Sequence, residues 1–253
     1  MNIIFITCFF ILGIVLGSFY NVVGYRLPRG ESIVRPRSHC PKCKHILSPI
    51  ELIPIFSYII QGGKCKNCHV KISPFYAIFE FLTGLLFVVS YLVFGINLEL
   101  LLALTFISML IIIIISDYQT YIISDEVLVV FTIILCILKY LIGGPNLLFS
   151  SILNGLISFT IMFLIKKMGD FLFKKESMGG GDIKLLFIIG FMFEFKMAIV
   201  IIFLGSIIAL PISLIILSKK NTNIIPYGPF LAIASMIVLL LKIDFNKLLM
   251  LFY

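Results

Sequence analysis

The sequence has no tryptophan and only three histidines in 253 residues, and just 13% of it is charged. The histidines, His39, His45 and His69, all fall in one short segment. That confinement leaves no Ser-His-Asp set elsewhere in the chain, and no His-Glu-x-x-His run occurs. No strand followed by a dinucleotide-type glycine loop is present either. The scarcity of charge excludes a soluble domain. The chain is 61% hydrophobic with a mean hydropathy of +1.18, more apolar surface than a water-soluble protein of this length needs. The missing tryptophan accompanies an abundance of Ile and Phe and carries no functional reading. Acids are also few, 12 against 20 Lys and Arg, for a net charge of +8. In a membrane protein that excess is first a topology signal. The expected class is therefore an all-α polytopic membrane protein with the lipid bilayer as its surroundings, and nucleic acid is not expected as a partner.

The first apolar run, 3–25, is long enough to span a bilayer. No positive segment precedes it and no small-residue cleavage site follows, so it is expected to be a retained span rather than a signal peptide. Gly13 and Gly17 lie on one helical face and would admit a second helix closely. Asn21, near the cytoplasmic end, is expected to bond a neighbouring helix. Further spans are expected near 75–94, 99–116, 126–142, 148–165, 183–193, 197–217 and 226–241, about eight in all. The segment 183–193 is short enough to be a half-helix buried in the bundle. Residues 26–71 carry Arg26, Arg29, Arg35, Arg37, Lys42, Lys44, Lys64, Lys66 and Lys71 against Glu31 and Glu51. The positive-inside rule places this segment in the cytoplasm and both termini outside. Lys166, Lys167, Lys174, Lys175, Lys184, Lys219 and Lys220 then fall inside. Lys139, Lys196, Lys242 and Lys247 fall on or toward the outside.

Within the polar segment, Cys40-Pro41-Lys42-Cys43 and Cys65-Lys66-Asn67-Cys68 form two Cys-x-x-Cys pairs spaced as in a four-thiolate zinc ribbon. A reducing cytoplasm disfavours structural disulfides. A loop of this size also needs a staple to fold. Four thiolates leave no open metal position, so the expected zinc is structural. A redox relay is the other chemistry such pairs support. The three histidines beside the knuckles read as solvated or as neighbours of the ligands, and Cys8 and Cys136 as inert packing residues.

Two acids stand at span edges. Asp117 closes the apolar run that begins at Leu100. Asp182 follows three glycines in Ser177-Met178-Gly179-Gly180-Gly181-Asp182-Ile183-Lys184. Without Cβ atoms, Gly179, Gly180 and Gly181 would let another chain lie close. A plainer reading makes Asp182 the N-cap of the following helix. The topology puts both acids at the cytoplasmic edge. Facing acids would share a proton, and such a pair can activate water against a carbonyl. Asp125 and Glu126 compete with Asp117, although the first turn of a helix explains them equally well. Glu80 is an acid inside a span, which implies either a basic partner near the cysteines or a function.

Together these features resemble the type IV prepilin leader peptidases, membrane aspartic proteases of the Gly-x-Gly-Asp class. The likeness runs in order through Gly17-Ser18-Phe19-Tyr20-Asn21-Val22-Val23 with Tyr25-Arg26-Leu27-Pro28, then the cysteine pairs. Ile53-Pro54 with Ser57-Tyr58 and Gly62-Gly63-Lys64-Cys65 follow. Asp117 with Asp125, Gly179-Gly180-Gly181-Asp182-Ile183-Lys184-Leu185-Leu186 and Ile225-Pro226-Tyr227-Gly228-Pro229-Phe230-Leu231-Ala232 complete it. Ser124 departs from a frequent proline, which loosens that turn. The resemblance implies catalysis by Asp117 and Asp182, supported by Gly179, Gly180, Gly181 and Asp125. It implies cleavage of a short basic leader from prepilins or pseudopilins at the cytoplasmic face of a bacterial inner membrane. It also implies N-methylation of the new terminus with S-adenosylmethionine, with Gly63 and Glu80 as candidates beside zinc ligands Cys40, Cys43, Cys65 and Cys68. The implied organisation is a first membrane helix 1–25, a cytoplasmic zinc-binding domain 26–74 and a peptidase core 75–253. A peptidase without methyl transfer is the alternative within the same class. A transporter with paired acids would want them near the bilayer midplane. A zinc-ribbon scaffold would leave the acids and glycines unexplained.

Overall fold

The computed structural model describes residues 2–174, 176, 178–219, 225–245, 248 and 250. Ser177 of the glycine motif and the topology markers Lys175, Lys220 and Lys247 lie outside them. Among the described residues the only regular structure is helical, apart from two isolated bridges. Five helices are long and apolar enough to cross a membrane. The chain divides into two compact units, Met1–Ile96 and Asn97–Tyr253.

In the first unit, α1 (Ile3–Arg26) packs along α3 (Phe75–Phe94), and between them lies the cysteine segment with the one-turn helix α2 (Phe56–Ile60). The α1–α3 contact depends on missing side chains. A Cβ on Gly13 would stand 2.7 Å from the Gly84 Cα, and one on Gly17 would stand 3.0 Å from the Glu80 Cα. Lipid supplies no hydrophobic drive between helices, so such close van der Waals approach is what holds them. Asn21 Nδ2 donates to the Tyr76 carbonyl at 3.2 Å, the interhelical bond expected of it. A boundary at 74/75 follows the change in polarity along the chain, whereas the packing keeps 75–96 with the cysteine segment.

The second unit is built around α4 (Leu98–Thr120), whose Phe106, Ile107, Met109, Leu110 and Ile115 are fully buried. Asn97 caps it by accepting from the Leu100 N–H at 2.8 Å. Against α4 pack α5 (Asp125–Phe173) and α8 (Gly228–Leu240). Against α5 packs α6 (Gly180–Phe193), and α7 (Phe195–Lys219) lies on α6 and α8. Helix α5 is two arms joined at Gly144, whose φ of 68° and ψ of −164° break the helix just before Pro145. The arms cover the segments expected at 126–142 and 148–165, but the second continues to Phe173. Three boundaries differ from expectation in a way that matters. Helix α4 continues past Asp117 to Thr120, α6 begins at Gly180 rather than 183, and α7 begins at Phe195. Both acids therefore lie inside helices, because polar first and last turns satisfy helical hydrogen bonding as well as apolar ones.

Candidate active site and cysteine cluster

Asp117 sits in the last turn of α4. Tyr121 ends that helix in the left-handed conformation, φ 57°, and its N–H donates to the Asp117 carbonyl at 2.9 Å. The Ser116 hydroxyl donates to the Ile122 carbonyl and folds the turn back on the helix. The Asp117 side chain is buried, 5% exposed, and its Oδ2 makes no hydrogen bond to the protein. It lies against bare backbone at the start of α8: a Cβ on Gly228 would stand 2.6 Å from Oδ2.

Asp182 occupies the third position of α6 and is 8% exposed. The N-cap is Gly179, so the N-cap reading of Asp182 gives way to a related one. Its carboxylate reaches back to the Gly179 N–H, one half of a capping box. The charge of Asp117 acts on Asp182, and that of Asp182 on Tyr227. The end of α4 and the starts of α6 and α8 converge here, since Asp117 Oδ2 lies against Gly228 and Ile123 lies against both Gly228 and Gly181, the residue before Asp182. Tyr227 ties that place to α7: its hydroxyl donates to the Ile202 carbonyl at 2.9 Å and lies 2.9 Å from Ser206 Oγ.

The three glycines do different things. A Cβ on Gly180 would meet nothing within 4 Å, and one on Gly179 would meet only Asp182 Oδ2 at 3.3 Å. Gly181 is the tight position, with Ile123 Cβ 2.9 Å from where its own Cβ would be. The close neighbour is thus a β-branched side chain, not the second backbone expected from three consecutive glycines. Ile123 also reaches to 3.2 Å from the Cβ position of Gly228. It is a wedge between the beginnings of α6 and α8, and nothing in its sequence context signals this.

Asp125 does not join the acid pair. Both its oxygens lie 2.7 Å from Lys184 Nζ. Ser124 is the N-cap of α5 and Asp125 its first residue, where an acid complements the helix dipole. Lys184, two residues beyond Asp182, was the available signal for this pairing. At the other end of α6, Lys139 Nζ donates to the Met192 carbonyl at 3.3 Å. Asn154 Oδ1 accepts from the Phe195 N–H, also at 3.3 Å. The first arm of α5 thus holds the end of α6, the short helix that carries Asp182, and the second arm holds the start of α7.

The cysteine cluster lies in the first unit. Its four Sγ atoms fall within 4.8 Å of one another, with Cys40–Cys68 at 3.8 Å and Cys43–Cys65 at 3.9 Å. Zn–S bonds of about 2.3 Å give tetrahedral edges of about 3.8 Å, so the four thiols fit a zinc ion, and the separations are far from a disulfide bond. Two like knuckles present them. Lys44 N–H donates to the Cys40 carbonyl and His69 N–H to the Cys65 carbonyl, each at 2.9 Å. Cys40 and Cys65 donate at the same distance to His45 and Val70. Lys44 and His69 hold positive φ, 58° and 55°. The Cys43 peptide N–H lowers the Cys40 thiol to about 6 and the His45 N–H lowers Cys43, which favours the metal-binding thiolate at these two, whereas Cys68, despite the Val70 N–H, is raised to about 11 by burial and by the neighbouring sulfurs. His45 meets Glu51 at 3.3 Å rather than the sulfurs, and Glu51 also accepts from the Ser48 N–H and hydroxyl.

Glu80 is buried on α3, and its partners are not basic. Its Oε2 accepts from the Ile55 N–H at 2.8 Å, and Ser18 also bonds it. Ile55 is the centre of a tight turn with φ 64° and ψ −55°, closed by Phe56 N–H donating to the Pro54 carbonyl at 2.6 Å. That conformation is strained for a β-branched residue. Gly63 has a structural requirement of its own, with φ 67° and a Cβ position 2.9 Å from Tyr58 Oη. It borders an open hollow of about 430 Å³ also lined by Lys64, Lys71 and Ser73.

The family model for the bacterial peptidase A24 N-terminal domain matches residues 11–94, and that for the type IV leader peptidase family matches 104–214. The chain is 36% identical to a prepilin leader peptidase/N-methyltransferase of Bacillus subtilis, across 91% of this chain and 92% of that protein. Proteins of the same name from Pseudomonas aeruginosa and Vibrio cholerae are 32% and 31% identical. Those matches cover 93% and 94% of this chain, and 90% and 97% of theirs. No solved structure matches the chain.

Proposed function

The chain belongs to the type IV leader peptidase family, and on that premise we propose that it cleaves prepilins or pseudopilins with an aspartate dyad, Asp117 and Asp182, and methylates the new N-terminus. The observation that supports the first half is that two carboxylates from separate helices are both buried where the end of α4 and the starts of α6 and α8 converge around Ile123 and Gly228. In the reaction, the ionised carboxylate takes a proton from water and the water oxygen attacks the scissile carbonyl carbon. The protonated partner hydrogen-bonds the carbonyl oxygen as charge develops there. When the carbon–nitrogen bond breaks, the proton held by the dyad passes to the leaving amine. Gly228 leaves room beside Asp117, and Ile123 fixes how α6 and α8 approach.

We read the membrane arrangement as eight spans in a bacterial inner membrane. Both arms of α5 count separately, and α6 and α8 complete the bundle as short buried helices. The excess of Lys and Arg in 26–71 supports a cytoplasmic cysteine domain, with the scissile bond of a short basic leader cut at that face. The four cysteines would hold zinc and order the domain. Methyl transfer from S-adenosylmethionine belongs to this domain in our reading, with Gly63 and Glu80 as candidates. The open hollow beside Gly63 is of a size that ligands occupy.

The test is incubation of membranes containing the protein with a prepilin and isotope-labelled methyl donor, followed by mass analysis of the product N-terminus. A shortened, methyl-labelled product supports both activities. A shortened, unlabelled product removes methyl transfer, and an uncut substrate removes the proposal.

A further inference from the structure

The cysteine segment reads as a soluble loop, yet α2 and the turn before it expose large apolar side chains. Phe56, Ile59 and Ile60 stand at i, i+3 and i+4, one face of a single helical turn, and are 60%, 67% and 81% exposed. Ile50 in the preceding turn is 74% exposed. Water is a poor environment for such a cluster, and scattered surface apolar residues do not explain four together.

The position of this face relative to the bilayer follows from one hydrogen bond. Glu80 Oε2 holds the Ile55 N–H at 2.8 Å, and Ile55 is the N-cap of α2. Glu80 lies five residues into α3, a candidate span that begins at Phe75. At about 1.5 Å per residue, α2 therefore starts roughly 8 Å beyond the beginning of that span, not far out in solvent. At the end of α1, the Arg29 guanidinium stacks 3.8 Å above the Tyr25 ring, an amphipathic pair suited to the same depth. In the segment that carries the apolar face the exposed charge is predominantly of one sign. The Lys and Arg residues between 35 and 71 are exposed, and none is ion-paired among the described residues. The only acids in the segment are Glu31 and Glu51, and Glu51 is bound to His45 and Ser48.

We propose that the α2 face, Phe56, Ile59 and Ile60 with Ile50, is seated in the headgroup and upper acyl region of an anionic bilayer, with the surrounding cations on lipid phosphates. Apolar burial sets the depth and the cations add attraction to negatively charged lipid. The strained Ile55 turn, held by Glu80, directs α2 along the bilayer surface. The zinc knuckles are thereby held beside the membrane rather than free on a tether. The inference depends on α1 and α3 spanning a bilayer and not on the peptidase reading.

The absence of native tryptophan supplies the test. Ile60→Trp and, separately, the milder Phe56→Trp would each place one fluorophore in the full-length, zinc-loaded protein. Each is reconstituted in nanodiscs with and without phosphatidylglycerol, using unlabelled or bromine-labelled acyl chains. The expected result is blue-shifted emission, roughly halved by brominated lipid and little affected by iodide, with deeper quenching in the anionic discs. Red-shifted emission open to iodide would overturn the proposal by placing the face in water. Blue-shifted emission untouched by bromine would overturn it by showing protein over the face, whether the rest of the chain or a second copy. Equal quenching with and without phosphatidylglycerol would overturn the role given to the cations.

Discussion

Lys184 Nζ lies 2.7 Å from both carboxylate oxygens of Asp125, so the acid nearest in sequence to Asp117 is committed to a lysine that neighbours Asp182. The pair joins the start of α5 to the first turns of α6. Both side chains are more than half exposed, so the ion pair contributes only about 0–1 kcal/mol to stability. Its value is in orienting α6. Asp125→Asn and Lys184→Met should each keep cleavage within roughly tenfold of wild type, and the double variant should be no worse than either single one. Initial rates on a prepilin peptide decide it. A dead Asp125→Asn with an active Asp117→Asn would reverse the assignment of the first acid.

Asp117→Asn and Asp182→Asn should each reduce cleavage to background while leaving the protein inserted, since one carboxyl cannot act as both base and acid. Amide and carboxylate have nearly the same volume, so packing around α4 and α6 is preserved. Cleavage assays beside measurements of membrane-inserted protein separate lost chemistry from lost protein.

The glycine contacts rank the next set of variants. Gly180→Ala should be nearly silent, because its Cβ position is open. Gly228→Ala should impair cleavage strongly, because the new methyl would displace Asp117 Oδ2. Gly181→Val should also impair it by crowding Ile123, and Ile123→Ala in the same chain should restore part of the activity. A fully active Gly181→Val protein would remove the wedge from the account.

The purified protein should carry about one zinc per chain, and Cys40→Ser with Cys43→Ser should abolish it. That double variant should lose most methylation yet keep part of its peptidase activity. The membrane helices satisfy their own backbone hydrogen bonds without metal. Metal analysis run with both assays tests the separation. A metal-free double variant that methylates normally would move the methyl-transfer site elsewhere in the chain.

Hydrophobic runs and Cys-x-x-Cys spacing act locally, and these determined the helical class, the grouping of the four cysteines and the acids worth watching. A close helix contact on α1 was legible too, because Gly13 and Gly17 recur on one helical face, although its partner α3 was not. Long-range proximity has no such local signature. Ile123 looks like any other apolar residue until Gly181 and Gly228 arrive on its two sides. Asp125 looks like a rival of Asp117 until Lys184 occupies it. Glu80 looks like an acid in need of a cation until a strained turn presents the Ile55 N–H. In each case the deciding partner comes from another helix or turn, and only packing three-dimensional elements against one another brings it within bonding distance.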